Sequence, residues 1–123
     1  MLFRSCQAFT VVQSVATVVT EIHNSSHTPV TTVLSGTVVH AKTTVGGNNG
    51  TPTGIVAWML HADGTCSSAY QPLSSANLDS SGVAHPSGDS VPMPAGTWSI
   101  LATYSGDSTY NQTINCQAFT VVE

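Results

Sequence analysis

The chain carries five histidines, three cysteines, six acidic residues and two basic ones, Arg4 and Lys42. These are the residues that could do chemistry, and their spacing is poor in recognisable sites. His23, His27, His40, His61 and His85 invite a metal reading, yet no interval matches a zinc motif. His23 and His27 can meet across the His-Asn-Ser-Ser-His bend; surface histidines are the preferred reading, with no metal and no cofactor. Asp63 and Asp107 fall in turns. Calcium needs six or more oxygens, which such scattered acids do not supply, so Asx bonds that hold turns are expected instead. Serines abound, but none lies in a GxSxG elbow. Lys42, considered as an isopeptide partner, points outward by strand alternation, opposite to Ala41 and Thr43, and lacks a helper acid. Acids and bases fail to cluster, so no catalytic activity is expected.

The elements that position these residues are strands. Apolar residues alternate at period two, and clusters of Gly, Pro, Asn and Asp punctuate them. The pattern predicts a strand at Ala8–Val12, an opening strand at Ala16–Ile22 and its continuation at Val30–Val33. A long strand follows over Thr37–Val45, with Val39, Ala41, Thr43 and Val45 on one face. After the Gly46–Gly54 loop comes Ile55–Leu60, with Val56, Trp58 and Leu60 inward. An Asp-Gly turn at Ala62–Thr65 leads to a short edge strand at Cys66–Tyr70. Ala76–Leu78 and Val83–His85 flank a further turn. Thr97–Tyr104 is the clearest strand, with Trp98, Ile100, Ala102 and Tyr104 facing one way, and Cys116–Val122 closes the series. Trp58 and Trp98, inward on adjacent strands, are expected to join Val56, Ile100 and Tyr104 in the core; exposed stacking on carbohydrate is the lesser alternative. Seven or eight short strands with frequent turns predict an all-β sandwich.

Only 7% of residues are charged against the usual quarter, while apolar residues make up 41%. Hydroxyls and amides cover the surface in place of ions. No basic stripe exists to bind nucleic acid, and no run approaches the length of a membrane span. Sequons at Asn24, Asn49 and Asn111 matter only in a host that glycosylates exported proteins. Thr-rich, Lys-poor composition with cysteines points to an oxidising, extracellular or cell-surface setting.

One heptapeptide occurs twice: Cys-Gln-Ala-Phe-Thr-Val-Val at 6–12 and again at 116–122, a period of 116 − 6 = 110 residues. That is the size of one sandwich. Residues 1–14 then read as the closing strand of a preceding repeat plus linker, and residues 15–123 as one unit. Cys6, Gln7, Ala8, Phe9, Thr10, Val11 and Val12 become an inter-unit contact, either inside an ordinary covalent array or by adding a strand to a neighbour's sheet, which repeated head to tail gives a filament.

The stretch from Gly50-Thr51-Pro52-Thr53-Gly54 to Ala95-Gly96-Thr97 and Ala102-Thr103-Tyr104-Ser105-Gly106-Asp107-Ser108 resembles the bacterial immunoglobulin-like tandem-repeat domains of secreted and cell-surface proteins. Leu78-Asp79 and Ser81–Pro86 add to the likeness, which covers about Ala16 to Val122. It departs at Ala41, where related repeats often carry an acid, and in the form of the closing strand. The resemblance implies an immunoglobulin-like sandwich with a structural role and no catalytic residues. It also implies a Cys66–Cys116 disulfide, since related repeats often carry both cysteines. Closing a loop of about 50 residues would stabilise by roughly 4 kcal/mol on the chain-entropy estimate. The two positions can also lie at opposite poles, in which case the pairing is between units. Cys6 is left over, without a partner or bonded to another subunit.

The reading that results is a structural repeat of an extracellular stalk or filament, with equivalent copies of itself as partners. The alternative is an adhesin or carbohydrate-binding module of a surface protein or exported enzyme, whose partners would be surface glycans or other proteins.

Overall fold

The structure, a computed structural model, describes residues 13–123. The strand expected at Ala8–Val12, with the other residues of the duplicated segment, lies outside the described residues. Among the described residues there are nine strands: β1 (Thr17–His23), β2 (Pro29–Val30), β3 (Thr32–Leu34), β4 (His40–Gly46), β5 (Ile55–His61), β6 (Ala69–Asn77), β7 (Val83–Ala84), β8 (Gly96–Tyr104) and β9 (Thr113–Val122). They form two sheets, ordered β2-β1-β4-β7 and β3-β9-β8-β5-β6. The all-β sandwich read from the sequence is therefore what the chain adopts.

The count exceeds seven or eight because the expected Val30–Val33 strand is split. Val30 pairs with Ile22 in the smaller sheet, whereas Val33 pairs in parallel with Val121 in the larger one. Thr31 is the crossing point, and its carbonyl accepts from the Thr120 amide at 2.9 Å.

The period-two faces are as expected. Val39, Ala41, Thr43 and Val45 are buried, as are Val56, Trp58 and Leu60, and Trp98, Ile100, Ala102 and Tyr104. A strand buries every second side chain, so facing sheets interdigitate these sets into one core. Tyr110, Met93, Leu73 and Phe119 complete it.

The edge strand differs from expectation. It runs over Ala69–Asn77, not Cys66–Tyr70 with a separate piece at Ala76–Leu78. Its register against β5 slips between Ala57↔Ser75 and Met59↔Pro72, where Ser74 takes a positive φ of 63°. The bulge and Pro72 both suit an edge, where one side of the strand needs no ladder bonds. The long strand likewise starts later, at His40 and not at Thr37. Its first residues bond to a separate segment: Ser87 Oγ and Ser90 Oγ accept from the Ala41 and Val39 amides at 2.7 and 3.0 Å, while the Ser87 and Ser90 amides donate back to the same two residues' carbonyls. The segment after β7 thus behaves as a further pairing partner for β4. It carries His85 and Asp89 alongside His40.

Candidate functional site

Two places gather polar groups. The first is the pole where β8 turns into β9. Asp107 organises it. Its Oδ2 accepts from the Thr53 amide at 2.9 Å and the Thr53 hydroxyl at 3.1 Å; its Oδ1 accepts from the Thr109 and Tyr110 amides, both at 2.7 Å. The Thr53 amide above all, with the other donors, favours the charged carboxylate and lowers its pKa to about 2. Beside it the Tyr104 hydroxyl donates to the Thr53 carbonyl at 2.7 Å. Burial, then the Asp107 charge, raises the Tyr104 pKa to about 12. Tyr110 donates to the Gly50 carbonyl at 2.6 Å and accepts from the Asn49 amide at 2.8 Å, fixing the 47–54 loop. The incoming chain docks on this frame. The Ser14 amide donates to the Thr109 carbonyl at 2.8 Å, the Asn111 amide donates to the Ser14 carbonyl at 2.9 Å, and Gln13 Nε2 donates to the Asp107 carbonyl at 2.8 Å.

The second place is a nest of imidazoles at the far end of β1. His23 ends β1 and His40 opens β4, directly opposite it in the antiparallel register. His85 follows β7, which pairs with the other side of β4. His27 sits in the β1–β2 turn with a positive φ of 59°. Asn24 builds that turn: its Oδ1 accepts from the Ser26 and Thr28 amides at 2.9 and 3.1 Å. One ring nitrogen from each of the four histidines lies within 4.8 Å of the others. His27 Nδ1 is 3.1 Å from His40 Nε2 and 3.3 Å from His85 Nε2, and the last two are 3.3 Å apart. His23 and His40 are buried, whereas His27 and His85 are exposed.

Carboxylates stand behind the buried pair. His23 Nε2 is 2.9 Å from Glu21 Oε1, and His40 Nδ1 is 4.0 Å from Asp89 Oδ1. The hydrogen bond to His23 lowers the Glu21 pKa. Burial, followed by the neighbouring imidazoles, lowers the pKa of both His40 and His85. A cleft of about 250 Å³ lined by Ser25, His27, Val38, His40, Pro86 and Asp89 opens beside the nest.

The expectation of surface histidines is corrected here: His23, His40 and His61 are buried. His61 stands apart from the nest, on the outward face of β5 under the 62–68 loop. Neither of its ring nitrogens has a hydrogen-bond partner among the described residues. That loop folds over β8, held by the Ser99 hydroxyl, which accepts from the Cys66 amide at 3.0 Å and donates to the Asp63 carbonyl at 2.6 Å.

The loop brings Cys66 to Cys116, and the two are disulfide-bonded with Cα atoms 6.1 Å apart. The bond lies within the chain. β9 starts opposite Tyr104 at Thr113, so Cys116 lies beside Leu101 and not at the far pole. The core residues Val56, Trp58, Trp98, Ile100 and Tyr104 sit as read. Asp63, Asp79 and Asp107 all accept amides within their own turns, as Asx bonds do. Among the described residues no helix is long and apolar enough to cross a membrane.

Comparison with family models, curated proteins and solved structures returned no match.

Proposed function

We propose that the chain is a structural repeat unit of an extracellular stalk or filament, joined head to tail to equivalent units through continuous backbone. One observation carries this reading: the described chain comes in at one pole and goes out at the other. Ser14 is bridged to Tyr110 in the turn between β8 and β9, while β9 runs away from that turn for ten residues to Val122, one residue past Val121, the partner of Gly96 at the start of β8. Ten strand residues span about 33 Å.

The duplicated heptapeptide makes Val122 the counterpart of Val12. The docked residues Gln13 and Ser14 therefore correspond to the first two positions beyond Val122 in a following unit. Exposed apolar residues stand at both poles: Val15 where the chain comes in, and the paired Leu34 and Val122 where it goes out. Stacking units would remove these from water. Insertion of the 6–12 segment between β3 and β8 of a neighbour is disfavoured, because the identical sequence in β9 already holds that place. The intrachain disulfide suits the oxidising surroundings of a cell surface.

Electron microscopy of the native material tests the reading. Straight rods with one sandwich per axial step are expected. Isolated globules at high concentration, from a polypeptide holding only one such unit, would overturn it in favour of an adhesin module.

A further inference from the structure

The geometry points to a divalent transition-metal site, best suited to zinc, formed by His23, His27, His40 and His85. The three nitrogens His27 Nδ1, His40 Nε2 and His85 Nε2 form a triangle with edges of 3.1–3.3 Å. Hydrogen bonding among themselves does not explain it. Each neutral ring nitrogen either bears a proton or offers a lone pair. Of any three, two are alike, so at least one edge sets lone pair against lone pair or proton against proton.

A shared cation resolves the conflict. With Zn–N bonds of about 2.0–2.1 Å, the edge of a tetrahedron of ligands is about 3.3–3.4 Å. A square-planar set with bonds of that length would put adjacent nitrogens about 2.8–3.0 Å apart, further from the two 3.3 Å edges. The quartet spans up to 4.8 Å, so closing a tetrahedron needs His23 to draw in towards the triangle.

His23 supplies the independent observation. Its Nδ1 is buried and has no partner, while its Nε2 is engaged by Glu21 Oε1. With Glu21 accepting the Nε2 proton, Nδ1 is left as a lone pair, the form in which an imidazole binds metal. A carboxylate on the second nitrogen is the usual way a ligand histidine is oriented. Asp89 lies further off from His40: its Oδ1 is 4.0 Å from His40 Nδ1, beyond hydrogen-bond reach, while His40 Nε2 is a vertex of the triangle. Two buried histidines, one of them hydrogen-bonded to a carboxylate, thus form the floor, and two exposed ones close over it. The adjoining cleft gives the ion a path from solvent.

A bound ion would tie the β1–β2 turn, the ends of β1 and β4 and the segment after β7 together at one end of the smaller sheet. β1 and β4 share a seven-residue ladder, whereas β2 and β7, which flank the turn and the segment after β7, are two residues each.

Calorimetric titration of the full chain, free of any affinity tag and stripped with chelator, with zinc chloride provides the test. Saturable binding of one ion per chain is expected, and Co²⁺ in its place should give the intense visible absorption of a tetrahedral centre. The exposed pair can be changed with little risk to folding, so the His27→Ala/His85→Ala double variant should weaken zinc binding at least about 100-fold. Glu21→Gln should weaken it about tenfold. No saturable binding, or affinity unchanged in the double variant with its fold intact by circular dichroism, would overturn the proposal.

Discussion

Trp58 Nε1 donates to Thr43 Oγ1 at 2.8 Å, a buried hydrogen bond that runs from β5 in one sheet to β4 in the other. Thr43 in turn lies 3.0 Å from the Thr20 hydroxyl on β1. This chain of three polar groups joins the two sheets through the core. Thr43→Val keeps the shape but leaves the indole N–H and the Thr20 hydroxyl without partners. A loss of about 1–3 kcal/mol is expected in urea unfolding. In a Trp58→Phe background the same change should lose less, giving a coupling of about 1 kcal/mol in a double-mutant cycle. Strict additivity would mean the bond contributes nothing.

The disulfide closes a loop of 50 residues between two elements that the sheet alone does not connect, the 62–68 loop and β9. Removing it as Cys66→Ala/Cys116→Ala should lower stability by about 4 kcal/mol on the chain-entropy estimate. The outward cover over His61 and Ser99 should loosen first, read as faster exchange of the position-66 amide than in the oxidised chain. Protection there equal to that of the oxidised chain would show that the Ser99 hydrogen bonds suffice to hold the loop.

Asp107 gives a pH dependence of determined sign. Its pKa is lowered in the folded chain to about 2, from an ordinary 3.8. Its contribution is therefore complete above about pH 4 and is lost as the pH falls towards 2, because the unfolded chain takes up the proton first. Asp107→Asn should reduce stability at neutral pH and flatten its fall between pH 4 and 2, measured by denaturant midpoints across that range. A variant that keeps the full acid dependence would move the effect to another carboxylate. Asp79 is the alternative to check, since the Val83 and Ser81 amides also lower its pKa.

Which face of each strand is buried could be read directly from the order of residues. Trp98, Ile100, Ala102 and Tyr104 alternate with mostly polar neighbours, and the pleat puts them on one side together; in β5 the neighbours Ile55, Ala57 and Met59 are apolar as well, and the bulk of Trp58 and Leu60 marks the inward face. Lateral position is another matter. Val30 and Val33 look like one strand because alternation is blind to which sheet a residue joins. The edge strand β6 was read short because only Leu73 is buried within Ala69–Asn77, so one face had almost no signal. The histidine nest was invisible for the same reason. Its members come from β1, a turn, β4 and the end of β7, and period-two reasoning says which side a residue takes, not which strand lies next to it. The one cue present was the short interval between His23 and His27. The fully buried His40 at the start of β4 carried none.

Gln13 directly follows the first copy of the duplicated segment. Its side chain donates to the Asp107 carbonyl, yet the position after the second heptapeptide is Glu123. An ionised glutamate has no proton to donate, so a junction formed by Glu123 would keep the backbone bridge and lose that side-chain bond.

Small-angle X-ray scattering of a chain with two successive copies of residues 13–122 would test the seam most directly. If Ser14 of the second copy docks on its own Asp107–Asn111 turn immediately after Val122 of the first, the pair is a stiff rod. Its maximum dimension should then be close to twice that of one copy, and unchanged by salt. A broad distribution centred well below that length, or two copies lying side by side, would contradict a linear array.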